Sequence, residues 1–173
     1  EALLSPPDKE CEQKLFDAAL KLKRQIFGNL VNLRGLIEFS NICICDCRYC
    51  GIRKSNSHVS RYMMSKEEIL AAAEFSWKAG FGSVVLQSGE RRDEEFINFV
   101  ADTVKEIKKI SNDELGITLS CGVQSEEIYK YWKSSGADRY LLRIETTNEK
   151  LFSSLHPDGD FEERKRALFD LKK

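Results

Sequence analysis

The sequence predicts an α/β fold of parallel β/α repeats, of the kind that builds part of a (β/α) barrel or a doubly wound sheet. Three observations carry that expectation. Four short apolar runs, at 35–40, 83–87, 116–120 and 139–144, are separated by stretches of helical periodicity, and strands alternating with helices build parallel sheets. The run Ser83-Val84-Val85-Leu86-Gln87 lacks the apolar–polar alternation of a strand with one wet face, as a strand covered on both faces does. A closed eight-unit barrel takes roughly 250 residues, so the 173 residues here supply about half of one. On these residues alone a doubly wound sheet fits equally well. The expected organisation is an N-terminal helical segment over 1–34 and an incomplete barrel core over 35–173, part of a longer protein.

Taken in order, Ser5-Pro6-Pro7-Asp8 reads as a loop feeding a helix over 8–27. Leu15, Ala18, Ala19, Leu22 and Ile26 recur there at helical spacing, and Gly28 is the stop. Such a helix suits a cover over one end of a barrel. Gly35 to Ser40 is a strand running directly into a cysteine cluster. Ser65-Lys66-Glu67-Glu68 is a capping box, in which serine and glutamate satisfy the free amides of a first helical turn. Its helix turns Ile69, Ala72, Ala73 and Ser76 inward and stops at Gly80. After the second strand, Phe96, Ile97, Val100, Val104 and Ile107 share a helix face. Gly116 to Ser120 is the third strand, and Ile128, Tyr131 and Trp132 group on the helix before Gly136. Arg139 to Ile144 is the fourth strand. Thr146-Thr147-Asn148-Glu149 reads as a second capping box opening a short helix, and 160–173 as one more. Trp77 and Trp132 are expected in packing, the 105–109 charge run on a solvated face, His58 in a solvated loop and His156 in a turn.

Composition narrows the function. The 27 basic and 28 acidic residues leave a net charge of −1, so no positive field attracts phosphate backbones and no nucleic-acid partner is expected. Hydrophobic residues at 42% and charged residues at 32% describe an ordinary globular chain. No apolar run approaches the roughly 18 residues that span a bilayer, and no basic-then-apolar signal pattern opens the sequence. No membrane partner is expected, and the expected compartment is the cytoplasm. Cysteine is distinctive: of six, Cys43, Cys45, Cys47 and Cys50 lie within eight residues, while Cys11 and Cys121 stand alone. A secreted disulfide scaffold spreads its cysteines to close long loops. A knot of thiols reads as a metal site.

Parsed as Cys43-x3-Cys47-x2-Cys50, the knot places three thiolates on one tight loop just after a strand. Thiolates suit iron–sulfur clusters, and a cubane normally takes four. Three leave one iron open, as catalytic metal sites keep a position free. An open iron can bind the amine and carboxylate of S-adenosylmethionine and pass an electron to its sulfonium. The competing readings are a structural zinc site, using Cys43 or Cys45 with Cys47 and Cys50, and a closed cluster with Cys45 as fourth ligand. Either would suit a non-enzymatic electron-transfer or scaffolding domain.

Two further groups lie at strand ends, where βα folds carry their catalytic residues. Gln87-Ser88-Gly89-Glu90 combines a glycine, permitting close backbone approach, with an acid able to hold an ammonium; a plain turn with an exposed glutamate explains it as well. Leu141-Leu142-Arg143-Ile144-Glu145 offers an arginine fork for a carboxylate and an acid for ribose hydroxyls or an amine, against a structural Arg–Glu pair. Ser120 ends the third strand, either as a hydroxyl donor to the same ligand or as an ordinary strand-end serine.

The Cys43/Cys47/Cys50 spacing, with the aromatic Tyr49 before the last cysteine, resembles the signature of the radical S-adenosylmethionine (radical SAM) superfamily. Asn41-Ile42-Cys43, Cys47-Arg48-Tyr49-Cys50-Gly51-Ile52-Arg53, Arg61-Tyr62-Met63, Val85 to Glu90, and Gly136 to Arg143 with Glu145-Thr146 resemble the HydE branch, the di-iron hydrogenase maturases. Biotin synthase and methylornithine synthase are related to that branch. The resemblance implies a radical SAM TIM-type barrel of which this chain holds the front half. It implies a 4Fe–4S cluster on Cys43, Cys47 and Cys50, and an S-adenosylmethionine site lined by Tyr49 beside the adenine with Ser88, Gly89, Glu90, Ser120, Arg143 and Glu145. It further implies an external electron donor and reductive cleavage of S-adenosylmethionine to a 5′-deoxyadenosyl radical. The substrate would be an iron complex in hydrogenase active-site maturation, or an organic small molecule as in the methylornithine and biotin synthases. Val123 stands where the branch carries an acid after the third strand, and Ile144 where a histidine often stands; both bear on the substrate rather than the cluster.

Overall fold

A computed structural model describes residues 4–172. Two compact units divide between Asn32 and Leu33. The first is built on helix α1 (Lys9–Phe27), which Asp8 opens by accepting from the Cys11 amide and Gly28 closes in the left-handed region, its amide returning to Arg24. No residue of α1 is buried.

The second unit is a run of β/α repeats: β1 (Gly35–Ser40), α2 (Lys66–Lys78), β2 (Ser83–Ser88), α3 (Glu94–Ile110), β3 (Gly116–Ser120), α4 (Glu126–Ser134), β4 (Arg139–Tyr140), α5 (Glu149–Leu155) and α6 (Phe161–Asp170). All sheet neighbours are parallel, in the order β1-β2-β3-β4. A doubly wound sheet reverses its strand order at a switch point; this sheet never does. The register sets Ile37 against Leu86 and Leu86 against Leu119, so one face carries a row from three strands. That row joins Phe39, Val84 and Ile117 in a single core with Ile69 and Ala73 of α2, Phe96, Val100, Val104 and Ile107 of α3, and Trp132 of α4. Helices that all pack on one face of a sheet in sequential order form the wall of a (β/α) barrel.

Local signals explain most element ends. The Ser65/Glu68 capping box is present in both directions. Asp93, Ser125 and Asp160 each cap a helix by accepting amides two or three residues on. Several expectations need correcting. The fourth strand stops at Tyr140, because β3 turns away through Gly122 in the left-handed region and leaves 141–144 without a ladder partner beyond the bond from the Leu141 amide to the Leu119 carbonyl. Asn148, rather than Thr146, caps α5. On α4 the inward residues are Tyr129 and Trp132, with Tyr131 at the surface. His156 is a buried helix cap stacked on Phe152 rather than a simple turn residue.

Asp138 locks β4 to β3. Its Oδ2 accepts from the Ile117 amide (2.7 Å) and from Lys108 Nζ (2.9 Å). Partial burial raises its pKa, but these donors outweigh burial and hold the carboxyl below the ordinary range. Because the folded value is depressed, the stabilisation is present above the unfolded pKa and is lost as pH falls through the folded one. Asp138→Ala is expected to cost about 1 kcal/mol near neutral pH, the group being partly solvated. The difference from wild type should vanish in acid. Urea unfolding of both proteins across pH 2 to 7 checks this, and a constant difference would contradict it.

Candidate functional site

Three strand ends converge. The segment after β1 carries the cysteines, the turn after β2 carries Gly89 and Glu90, and 141–145 crosses beside them. Together with Ser120 they line a cleft of about 210 Å³. All ten residues singled out in the sequence, Cys43, Cys47, Tyr49, Cys50, Ser88, Gly89, Glu90, Ser120, Arg143 and Glu145, line that one cleft. Cys45 lines it too. Cys121 is buried, and burial pushes its thiol up to about 12.

The cysteine loop has no regular structure of its own, so side chains hold its shape. Asn41 Nδ2 donates to the Ser60 carbonyl, and Asn41 Oδ1 accepts from the Tyr62 amide. The Arg61 guanidinium donates to the carbonyls of Asn41, Ile52, Arg53 and Asn56, closing the loop from behind. From the far end of the chain, the Leu155 carbonyl accepts from the Arg48 amide (2.9 Å), and Asp158 Oδ2 from the Asp46 amide (2.9 Å). The front of the loop rests on the end of β2. The Ile44 amide donates to the Glu90 carbonyl (3.0 Å) and the Glu90 amide to Cys43 Sγ (3.3 Å). A Cβ on Gly89 would overlap the Ile42 carbonyl and Cys43 Cβ, so only glycine permits this approach.

The thiols differ electrostatically. Cys43 is drawn down to about 6, first by the Cys45 thiol donating to it, with the Cys45 and Glu90 amides adding to this. Cys45 is held well above the ordinary thiol range because its thiol donates to Cys43 Sγ and because it is buried near Glu90. Burial and the neighbouring sulfurs push Cys47 up to about 11.

Across the cleft, Glu90 is 6% exposed. Its Oε2 accepts from the Val123 amide (2.8 Å), and its Oε1 accepts Nε and Nη2 of Arg92 at 2.9 and 2.7 Å. Glu145 has a left-handed backbone. Burial, followed by the Glu145 charge, raises the Tyr49 phenol above its usual range.

Sequence reasoning missed three residues here. Arg164, on the first turn of α6, lines the cleft, donates from Nη1 to the Arg143 carbonyl (3.1 Å), and has a buried Nε with no partner among the described residues. His156 Nε2 lies 2.9 Å from the Tyr49 hydroxyl. Arg92 reaches Glu90 and also Glu163. Each contact spans the chain or depends on rotamers, and no local spacing signals it.

The chain belongs to the radical SAM superfamily, which residues 37–173 match. It is 43% identical, over 98% of its length, to the FeFe-hydrogenase maturase subunit HydE of Thermotoga maritima, covering 47% of that protein. It is 31% identical over 94% of its length to the 3-methylornithine synthase of Methanosarcina acetivorans, covering 46%. The crystal structure of methylornithine synthase (PylB) superposes with a TM-score of 0.85 at 30% identity, covering 99% of this chain and 50% of that one. The chain therefore spans about half the length of the relatives it matches.

Members of this family of enzymes use a 4Fe–4S cluster with S-adenosylmethionine, and the donor set fits both. Among the described residues no three His, Cys, Asp or Glu side chains converge as one metal ion requires, whereas cubane thiolates each take a different iron. Amides aimed at a sulfur, as at Cys43, stabilise a cluster thiolate. An orphaned guanidinium N–H beside acids suits a zwitterionic amino-acid moiety.

Gly89→Ala should separate the loop from β2. Reconstituted protein is expected to hold less than half the wild-type iron and sulfide and to melt lower, by at least a few degrees for a loss of about 1–3 kcal/mol of packing. Normal loading and melting would contradict the close-approach argument.

Proposed function

We propose that residues 35–173 are a radical SAM core in which Cys43, Cys47 and Cys50 hold the cluster and the facing residues hold S-adenosylmethionine. When bound and reduced, this cofactor pair supplies a 5′-deoxyadenosyl radical from reductive cleavage of the sulfonium. The chain's own residues bind and orient. Glu90 accepts from the methionyl ammonium through the lone pair of Oε2 that the Val123 amide leaves free. Arg143 and Arg164 donate to the carboxylate, and Glu145 and the Ser88 and Ser120 hydroxyls meet the ribose and the amine. Tyr49, steadied by His156, walls the adenine, while Ile52, Leu141 and Leu142 exclude water. The reductant is external, and the substrate is a small molecule. The single observation that carries this reading is the convergence of four thiols, two acids and two arginines on one cleft at the strand ends.

Anaerobic reconstitution is expected to load a cluster in wild type and in Cys45→Ser, and to fail in Cys43→Ser, Cys47→Ser and Cys50→Ser. Glu90→Ala should keep the cluster but bind S-adenosylmethionine about ten- to hundredfold more weakly, and Arg143→Ala, more exposed, about tenfold. Iron analysis and titration followed by the spectrum of the reduced cluster report both. Equal loss of iron in Cys45→Ser and Cys47→Ser would contradict the three-ligand assignment.

We further propose that the whole protein acts in di-iron hydrogenase active-site maturation, as a HydE. The 43% identity to the Thermotoga maritima HydE, against 31% to the methylornithine synthase, supports this. The native protein is expected to restore hydrogenase activity to a strain lacking its own HydE. Rescue of a methylornithine- or biotin-synthase-deficient strain instead would transfer the reading to an organic substrate.

A further inference from the structure

Glu90 is already gripped. The Arg92 guanidinium places Nε and Nη2 on Glu90 Oε1 at 2.9 and 2.7 Å and turns Nη1 to Glu163 Oε1 at 2.8 Å, with Nη2 also 3.4 Å from Glu163 Oε2. One planar fork thus spans two carboxylates that lie 73 positions apart in the chain (Glu90 to Glu163). The two ends differ in burial: Glu90 is 6% exposed and Glu163 43%. Behind Glu90 stands Gly122, in the left-handed region, where a Cβ would collide with the glutamate side chain. Glu90 is therefore fixed on three sides, by Arg92, the Val123 amide and the Gly122 backbone. Glu163 sits on the first turn of α6 immediately before Arg164, the arginine that faces the cleft.

We propose that Arg92 is a positioning residue for the S-adenosylmethionine site, fixing the Glu90 carboxylate toward the cleft and tying it through Glu163 to the turn that presents Arg164. This rests on the assignment of Glu90 to the ligand ammonium. The charges alternate as Glu90 negative, Arg92 positive, Glu163 negative, so the triad stays net negative and still attracts an ammonium. Arg92 would otherwise be a competitor, a cation occupying the acid that the ligand needs. Two arrangements with opposite signs can therefore be told apart. As a competitor, its removal tightens binding; as a positioner, its removal loosens binding, because a buried carboxylate without its fork loses its fixed direction. The fork geometry selects positioning: both of its Glu90 contacts fall on Oε1, and Oε2 keeps one free lone pair.

The test uses the anaerobically reconstituted protein carrying Arg92→Met, Arg92→Lys, Glu163→Gln or Arg92→Met with Glu163→Gln. Iron content, the Kd for S-adenosylmethionine from the reduced-cluster spectrum, and KM and kcat for its cleavage are measured. Arg92→Met is expected to load iron as wild type does while Kd and KM rise about tenfold and kcat changes far less. Arg92→Lys should recover part of the loss, since a point donor cannot span both acids as a fork. The double variant should bind no more weakly than Arg92→Met alone, the mark of residues acting as one unit. If Arg92→Met does not fold, Arg92→Gln and Glu163→Gln carry the same comparison. Unchanged or tighter binding in the Arg92 variants, with Glu90→Ala still weak, overturns the positioning role and leaves the site assignment standing. Wild-type binding by Glu90→Ala overturns the site assignment itself.

Discussion

The candidate site depends on one close approach, that of the Ile42–Cys43 backbone over Gly89 at the end of β2. Parallel strands end in register, and the chain leaving β1 must turn across its neighbour to reach α2. Here the crossing backbone comes so near that no side chain fits beneath it. The contact acts through geometry. With Gly89 flush against the loop, the next amide, that of Glu90, points at Cys43 Sγ, and the Glu90 carbonyl receives the Ile44 amide. The same residue therefore donates to the Cys43 sulfur through its backbone and presents a carboxylate to the cleft through its side chain. The cysteine loop and the cleft acid are placed by a single turn.

That contact also sets Cys43 apart from its neighbours among four thiols crowded into eight residues. Spacing alone left Cys45 as an alternative ligand to Cys43. The structure sets them in different surroundings: Cys43 Sγ receives the Cys45 and Glu90 amides, and the Cys45 side chain is half-buried close to Cys43 and Glu90. Amides aimed at a sulfur favour its thiolate, the form in which cysteine binds a metal.

The fold was legible because its signals are local and redundant. Asp8, Ser65 with Glu68, and Asp160 announce helix starts within a single turn, and Val84 to Leu86 reads as a buried strand from composition alone. The errors fall where a distant partner decides. Residues 141–144 look like strand, yet a strand needs a neighbour, and β3 leaves at Gly122. On α4 the helical period groups Tyr131 with Ile128 and Trp132, but the buried tyrosine is Tyr129, whose hydroxyl takes the Gln124 amide and whose ring meets Tyr140. The site divides in the same way. Cysteines, Gly89, Glu90 and Arg143 announce themselves by spacing and by their places at strand ends. Arg92, His156 and Arg164 act through contacts that only the folded chain creates.

Those later residues change what the site is made of. The cysteine loop belongs by sequence to the first βα connection, yet its amides at Asp46 and Arg48 are satisfied by Asp158 and Leu155, and Tyr49 leans on His156. The short helix α5 and the turn after it thus close the loop over the cleft from the opposite side to Gly89. An unpaired amide in this setting costs free energy comparable to a lost hydrogen bond, so the loop's shape and the docking of α5 are mutually dependent. Disorder in either would release the other. A site of this kind has no modular part: the cysteine loop is held on one side by the turn after β2 and on another by a segment more than a hundred positions downstream, with the sheet between them.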